Sequence, residues 1–556
     1  MVMKYSEDTN SNNFIAQAGI LAAAGIVSRI IGLLYTSPLS SVIGDLGLGY
    51  YQSAYAFYTI VLLISSYSVP SAIAKVIAQK LALKEYRNAH RLFIGSLVYV
   101  LVIGGAAGLF LYFGAGLLVE ETAVPVLRVF APTIFIYGIL GVLRGYFQAH
   151  RSMVQTSVSQ IIEQIANALV SIGSAALFIK IALGTMEQPT TEAGKIERAI
   201  AGASGSALGT GAGVVAALIF MAIAYFINRP SILKRVHNDS HEELDGVLTI
   251  IKTITFIVTP FILSTAVYNL MNSVNTKLYT DIYPGMKDVD RVLVTSTWGI
   301  FSGKAQKIAN IPNAFASAMT AAVIPSLAGL VASKQMRDVR NKINIAVRTT
   351  MLISIPCAVG LFALAEPVTI LLFPSSIANP EPAKLCLMAL APSIILYAYS
   401  TLNSSILQGI GKVNAPILNA GISLAVQTFI AWLLLKFTGI DIYAVAIANL
   451  VYAGLMAFLN QYSVRKASGF TQEFERTFAY PLAASAIMGV ISFLIYRLLL
   501  LIIGSKRIAV IPALIIAVPV YFAALLLSGG LTEAELLEMP KGEKIVKLAK
   551  KVRLLR

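Results

Sequence analysis

The run APTIFIYGILGVLRGYFQ, residues 131–148, aligns without gaps onto APSIILYAYSTLNSSILQ, residues 391–408, at a constant offset of 260. Identities fall at Ala131/Ala391, Pro132/Pro392, Ile134/Ile394, Tyr137/Tyr397 and Gln148/Gln408, where chance would supply roughly one or two. Both runs are apolar and close to the length of about 20 residues that a helix needs to cross a bilayer. A weaker echo pairs Pro70-Ser71 with Pro325-Ser326. Each echo steps forward by six apolar segments. Six is even, so the two halves enter the membrane in the same sense. That is a parallel repeat about an axis normal to the bilayer, an arrangement found in transporters that rock two bundles around a central site.

The composition agrees. Of 556 residues, 57% are hydrophobic and 13% charged, and mean hydropathy is +0.76; soluble domains run at about 45–50% apolar and about 25% charged. The apolar segments are continuous rather than alternating, which excludes a lipid-spanning β-barrel and leaves helices. The expectation is an all-α polytopic protein with about fourteen spans. They lie near 14–37, 50–76, 91–115, 121–147, 154–182, 200–227 and 249–276, then 304–332, 341–366, 384–410, 414–436, 440–464, 476–502 and 507–528. The domain organisation expected is an N-lobe at 1–227, a polar interlobe linker at 228–248 and a C-lobe at 249–464. A final helix pair at 476–528 and a tail at 529–556 follow. Residues Met1–Asn13 are polar and lack the basic region of a cleaved signal peptide, reading as a disordered lead-in.

The net charge of +16 marks cytoplasmic connectors and anionic lipid, not nucleic acid. Lys80, Lys84, Arg87 and Arg91 follow span 2, and Lys334, Arg337, Arg340 and Lys342 follow span 8. The connectors after spans 1 and 3 carry Asp45, Glu120 and Glu121 and no basic residue. These clusters share one side if both termini are cytoplasmic, as an even span count also requires. The protein is therefore expected in the bacterial inner membrane, multi-pass, acting as a monomer. Between Lys541 and Arg556 apolar Ile545, Leu548, Ala549, Val552 and Leu555 face away from basic residues, as in a helix lying on an anionic leaflet.

Ionisable groups within spans cost about 2.5–3.5 kcal/mol each on the insertion scale, so they mark function. Arg29 stands near mid-membrane in span 1, which offers it no partner; a cavity, a partner helix or an anionic ligand must receive it. Arg144 ends span 4, where it could snorkel, and Glu163 lies in span 5. Across a hairpin turning near His150 their depths differ by about 9 Å, which an extended arginine nearly closes. Glu163 is thus a structural partner of Arg144, with Arg29 as the competing cation, or a coupling group. Gln148 and Gln164 accompany them. Lys304 and Lys307, one turn apart at the start of span 8, either snorkel to the outer interface or bind an anion. Asn269, Asn272 and Asn275 in span 7 form a stripe that lines a polar path or bonds neighbouring helices.

Other signals carry less. Gly205, Gly209 and Gly213 in span 6 form a small-residue packing face. Gly409-Ile410-Gly411-Lys412 lacks both the preceding glycine and the following Ser/Thr of a P-loop. His237 and His241 have no third ligand, and Cys357 and Cys386 sit in apolar runs, so no metal, cofactor or disulfide is expected. No external connector holds a carboxylate or histidine cluster, which argues against a membrane enzyme.

In Ser28-Arg29-Ile30-Ile31-Gly32, Leu143-Arg144-Gly145-Tyr146-Phe147-Gln148 and Ser159-Gln160-Ile161-Ile162-Glu163-Gln164, the chain resembles the MurJ-type lipid II flippases and their SpoVB-like polysaccharide-export relatives in the MOP (MATE-like) superfamily, Gram-positive branch. The resemblance covers nearly the whole chain. It implies alternating access, a central cationic cavity for an undecaprenyl-diphosphate-linked saccharide, and a groove for the polyprenyl tail on the last two spans. Arg29 matches the family's first-helix cavity arginine. A second arginine six residues on is replaced by Tyr35. Lys307, ahead of Pro312, stands where the lipid II branch carries a basic residue. The Gram-negative span 2 arginine has no counterpart between Leu62 and Pro70. The family's aspartate sodium site is not supported by the asparagines of span 7. Lipid II is the expected substrate, its diphosphate bound by Arg29, Lys307, Lys304 and Arg144, and another lipid-linked polysaccharide is the alternative. A drug/cation antiporter ranks behind both, since span 1 offers a cation where cation export needs a carboxylate.

Overall fold

A computed structural model describes residues 11–67, 69–239, 244–246, 249–250, 252, 255, 269–531, 546 and 550. The lead-in Met1–Asn10, most of span 7, His241 and nearly all of the basic tail lie outside the described residues. Every regular element described is helical. Eleven helices among the described residues are long and apolar enough to cross a membrane, in keeping with an all-α polytopic protein.

The principal helices are α1 (Ser11–Leu62), α2 (Val69–Ala82), α3 (Tyr86–Phe113), α4 (Val124–Ala149), α5 (Met153–Leu183), α6 (Glu192–His237) and α7 (Arg291–Ile300). They continue with α8 (Asn313–Ala332), α9 (Met336–Ala363), α10 (Glu381–Gly409), α11 (Asn414–Phe437), α12 (Ile442–Ser468), α13 (Tyr480–Ile503) and α14 (Lys506–Leu527). α1 contains span 1 and the first half of span 2. It breaks at Gly44, whose φ of 72° and ψ of 177° are non-helical and open to glycine. Span 2 then passes through a π-helical turn at Leu63–Tyr67 into α2.

The chain forms two compact units, Met1–Gly299 and Ile300–Arg556. In the first, α4 is the innermost helix, 61% buried over its membrane window, against 28% for α3, 22% for α5 and 28% for α6. In the second, α10 has that place at 56%, shared with α12. α4 and α10 carry the two aligned runs, so the repeated sequence marks the central helix of each unit. Residues 141–147 and 402–407 are buried on every side, which is why both stretches lack an amphipathic period.

No hydrophobic drive joins helices inside lipid, so close packing and hydrogen bonds must do it. α5 and α6 show how. A Cβ on Gly205 would come within 2.6 Å of the Ser174 carbonyl carbon, one on Gly209 within 2.5 Å of Ser171 Cα, and one on Gly213 within 2.5 Å of the Glu163 carbonyl oxygen. The contact lets Ser174 Oγ donate to Gly205 O at 2.6 Å and Ser171 Oγ to Ser206 O at 3.0 Å.

Span 8 differs from the expectation. Its helical path begins at Arg291, thirteen residues before Lys304, runs through a π-helical turn at Phe301–Ala305, and breaks at 310–312 before α8. Thr295, Ser296, Thr297 and Ser302 keep its first half polar enough to read as a connector. Thr295 and Ser302 are buried, and Ser296 and Thr297 bond carbonyls one turn back, at Val292 and Leu293.

Candidate functional site

The hairpin of α4 and α5 builds a buried charged group in the first unit. Arg144 is 5% exposed. Its Nη2 donates to Glu163 Oε2 at 2.7 Å and its Nε to Ser159 Oγ at 2.9 Å. Ser159 in turn donates to the Thr156 carbonyl at 2.7 Å. Three residues on two helices thus close one charge-assisted network. Among the described residues Arg144 is the cation that pairs with Glu163; Arg29 is not. At the hairpin turn, His150 Nδ1 lies 2.9 Å from the Tyr146 carbonyl. Burial pushes the ring down to about 4, with Arg235 adding to the effect and the Tyr146 bond opposing it. His150 is therefore neutral at pH 7 and adds no charge here.

Arg29 stands apart. It is exposed, and among the described residues it makes no hydrogen bond or ion pair. One turn further on, a Cβ at Gly32 would meet Gln164 Oε1 of α5 at 3.7 Å, so this face of α1 looks toward α5. Side chains lean toward the helix N-terminus, which sets the guanidinium off from Gln164 by about a turn. The guanidinium stands among exposed apolar side chains, Ile26, Val27 and Ile30. Gln148 is half-buried at the C-terminal end of α4, and its carbonyl accepts from Arg151 N at 2.9 Å.

Sequence reasoning missed the tyrosines beside this group. Tyr35 bonds the side chains of Tyr51 and Asn167, and Tyr51 pairs with Thr210 Oγ1 at 3.3 Å. Tyr51, Tyr55 and Tyr58 form a shelf on Phe130, with ring centroids 4.7–5.8 Å apart. Their spacing of four and three on one helical face was the available signal. Tyr35 thus puts a hydroxyl bonded to α5 where the resemblance implies an arginine.

In the second unit, Lys304 does not snorkel. It is 1% exposed, in the π-helical turn, and its Nζ donates to Ser376 Oγ at 3.0 Å and Ser375 Oγ at 3.3 Å. The earlier start of the helix carries it well away from the helix end. Lys307, one turn on, is half-buried. The asparagine stripe is uneven: Asn269 is exposed, Asn272 intermediate and Asn275 2% exposed. Spacing by three drifts about 60° per step against a period of 3.6, so the stripe winds from surface to interior. A neutral polar network was also missed. Asn419 Nδ2 donates to Asn460 Oδ1 at 2.9 Å and Asn460 Nδ2 to Ser404 Oγ at 2.8 Å, tying α10, α11 and α12 together. Among the described residues, no group of three His, Cys, Asp or Glu could hold a metal.

Comparison with known proteins sets this geometry in a family. The family model described as "Polysaccharide biosynthesis protein" matches residues 14–331, and a MatE model matches residues 303–433. The chain is 24% identical over 502 residues to the lipid II flippase MurJ of Bacillus subtilis (strain 168), covering 86% of this chain and 88% of that one. It is 23% identical over 485 residues to the stage V sporulation protein B of the same organism, with the same coverage. A solved structure of the lipid II flippase MurJ in an inward closed conformation superposes with a TM-score of 0.63 at 16% identity. That match spans 91% of this chain and 97% of the other, and it speaks to the fold. The first family model spans more than half of the chain, and the chain belongs to the polysaccharide biosynthesis protein family: it is a multi-pass membrane transporter of the MOP superfamily.

Proposed function

We propose that this transporter flips a lipid-linked saccharide bearing a diphosphate, and that its substrate is the peptidoglycan precursor lipid II, moved from the inner to the outer leaflet by alternating access. One observation carries the reading. Arg29 presents an exposed guanidinium, without a partner among the described residues, from the middle of an apolar helix, where an uncompensated charge is costly. A diphosphate is its natural complement, because the planar fork matches phosphate oxygens bidentately. The similarity to a named lipid II flippase supports the choice of substrate. We also assign Lys307 to diphosphate binding. Arg144, already bonded to Glu163 and Ser159, and Lys304, already bonded to two serines, we assign to holding their helices. The lobes at 1–227 and 249–464, the linker at 228–248 and a tail groove on 476–528 complete the proposal. The protein would sit in the bacterial inner membrane with both termini cytoplasmic, as a monomer among anionic lipids.

A second reading replaces lipid II by another undecaprenyl-linked polysaccharide. Near-equal similarity to the sporulation protein favours it, as does Tyr35 in place of a second arginine.

Rescue of a bacterium depleted of its lipid II flippase separates the two. Growth restored by this chain supports lipid II; no rescue by a well-expressed chain sinks it in favour of the second reading. In the same assay Arg29→Ala abolishes rescue at normal accumulation, and Arg29→Lys keeps part, since lysine retains charge but loses the fork. Full rescue by Arg29→Ala would remove the anchor role.

A further inference from the structure

A separate cavity of about 250 Å³, lined by both charged and apolar side chains, lies where the turn between α13 and α14 meets the end of α9 and the start of α10. Glu366, Lys384, Arg497 and Lys506 line it together with Phe362 and Phe493. Gly504 (φ 72°) ends α13 in the left-handed conformation, so that Lys506, the first residue of α14, turns back over the cavity. Lys506 Nζ lies 2.7 Å from Glu366 Oε1, and Lys384 Nζ lies 3.6 Å from Glu366 Oε2. Lys384 also reaches Glu381 at 3.0 Å, outside the cavity. Arg497 lies over the Phe493 ring at 5.2 Å and meets no carboxylate among the described residues.

Charge and shape together specify the ligand. Three cations surround one lining carboxylate, so the cavity favours an anion. Arg497 is six residues before the end of α13, about 9 Å along the axis. Leu494 and Leu501, each about one turn from it, and Leu498, the next residue, are 60%, 84% and 59% exposed. The mouth therefore borders on one side a face built for hydrocarbon, and on the other the half-exposed Lys506. A free phosphate would use the cations and leave the apolar side idle. A phospholipid uses both.

We propose that this cavity binds the phosphodiester headgroup of an anionic phospholipid, the phosphate at Arg497 and Lys506 and the acyl chains along the Leu494–Leu501 face of α13. The site does not involve Arg29, although α13 is also one of the two helices assigned above to the substrate's tail groove.

The test is photolabelling of the full chain in phosphatidylcholine vesicles doped with a photoactivatable phosphatidylglycerol, with mapping of the labelled peptides. Label is expected on the segment 493–506, displaced by unlabelled phosphatidylglycerol but not by added phosphatidylcholine or inorganic phosphate. Arg497→Gln lowers labelling there about tenfold, the worth of one charge-assisted bond, while label elsewhere on the same molecules stays constant and reports an intact fold. Arg497→Lys keeps an intermediate level. Wild-type labelling in Arg497→Gln, equal competition by phosphatidylcholine, or displacement by inorganic phosphate would each overturn the assignment.

Discussion

Arg144 and Lys304 are both buried cations, yet the sequence exposes the surroundings of only one. Glu163 follows Arg144 by nineteen residues across a tight hairpin, and the rise of a helix fixes their relative depth well enough to pair them. The hydroxyls that receive Lys304 come from Ser375 and Ser376, more than seventy residues away, and no local rule reaches them. Tyr35 is similar, since its tie to Asn167 exists only once α1 lies on α5. The Arg144–Glu163 pair has a measurable consequence. With side-chain exposures of 6% and 16%, removing one partner strands the other at a cost of about 3–5 kcal/mol. Glu163→Gln should lower steady-state abundance, and Arg144→Met combined with Glu163→Leu should recover it. Normal abundance of Glu163→Gln with lost transport would instead make Glu163 a coupling group.

At the level of elements, periodicity and small residues were good guides and polarity a poor one. The glycines of α6 predict a tight helix pair, and α5 packs against that face. Gly209→Leu should therefore drive the two backbones apart and destabilise the protein by about 1–3 kcal/mol or more, whereas the same change at Gly173, which has open space around it, should leave folding nearly unaltered. Thermal unfolding in detergent would compare them, and equal midpoints would contradict the packing described. Span 8 was misjudged at its start because Thr295, Ser296, Thr297 and Ser302 lower its hydropathy. Two of these are buried and two bond the turn before, so polarity there reports position inside a protein, not contact with water.

For the whole molecule, composition made the class legible, because lipid permits so few architectures, and the 260-residue offset picked out the innermost helix of one unit and one of the two most buried helices of the other. The substrate was less legible, because it depends on a handful of cations. Their number bears on energy supply. The sequence has no nucleotide motif, and each elementary charge moved across the membrane gains about 2.3 kcal/mol per 100 mV. A transporter returning empty with two fixed cations toward a negative cytoplasm would be driven by that field. Dissipating the potential should stall flipping, with the pH gradient and sodium mattering less. Accessibility of the lipid-linked substrate to an external probe, with the three varied separately, decides it: full activity at zero potential, or strict sodium dependence, would overturn this account.

The two compact units have separate cores, which has a bearing on biosynthesis. One cluster gathers Phe93, Leu140, Tyr146, Phe147 and Met221, all from the first unit. Another gathers Ile343, Met351, Leu402, Ile406 and Val464, all from the second. Each half can thus assemble its own interior as it leaves the ribosome, the earlier half without waiting for the later. Two separately encoded halves, made together in one cell, would carry the same instructions as the single chain.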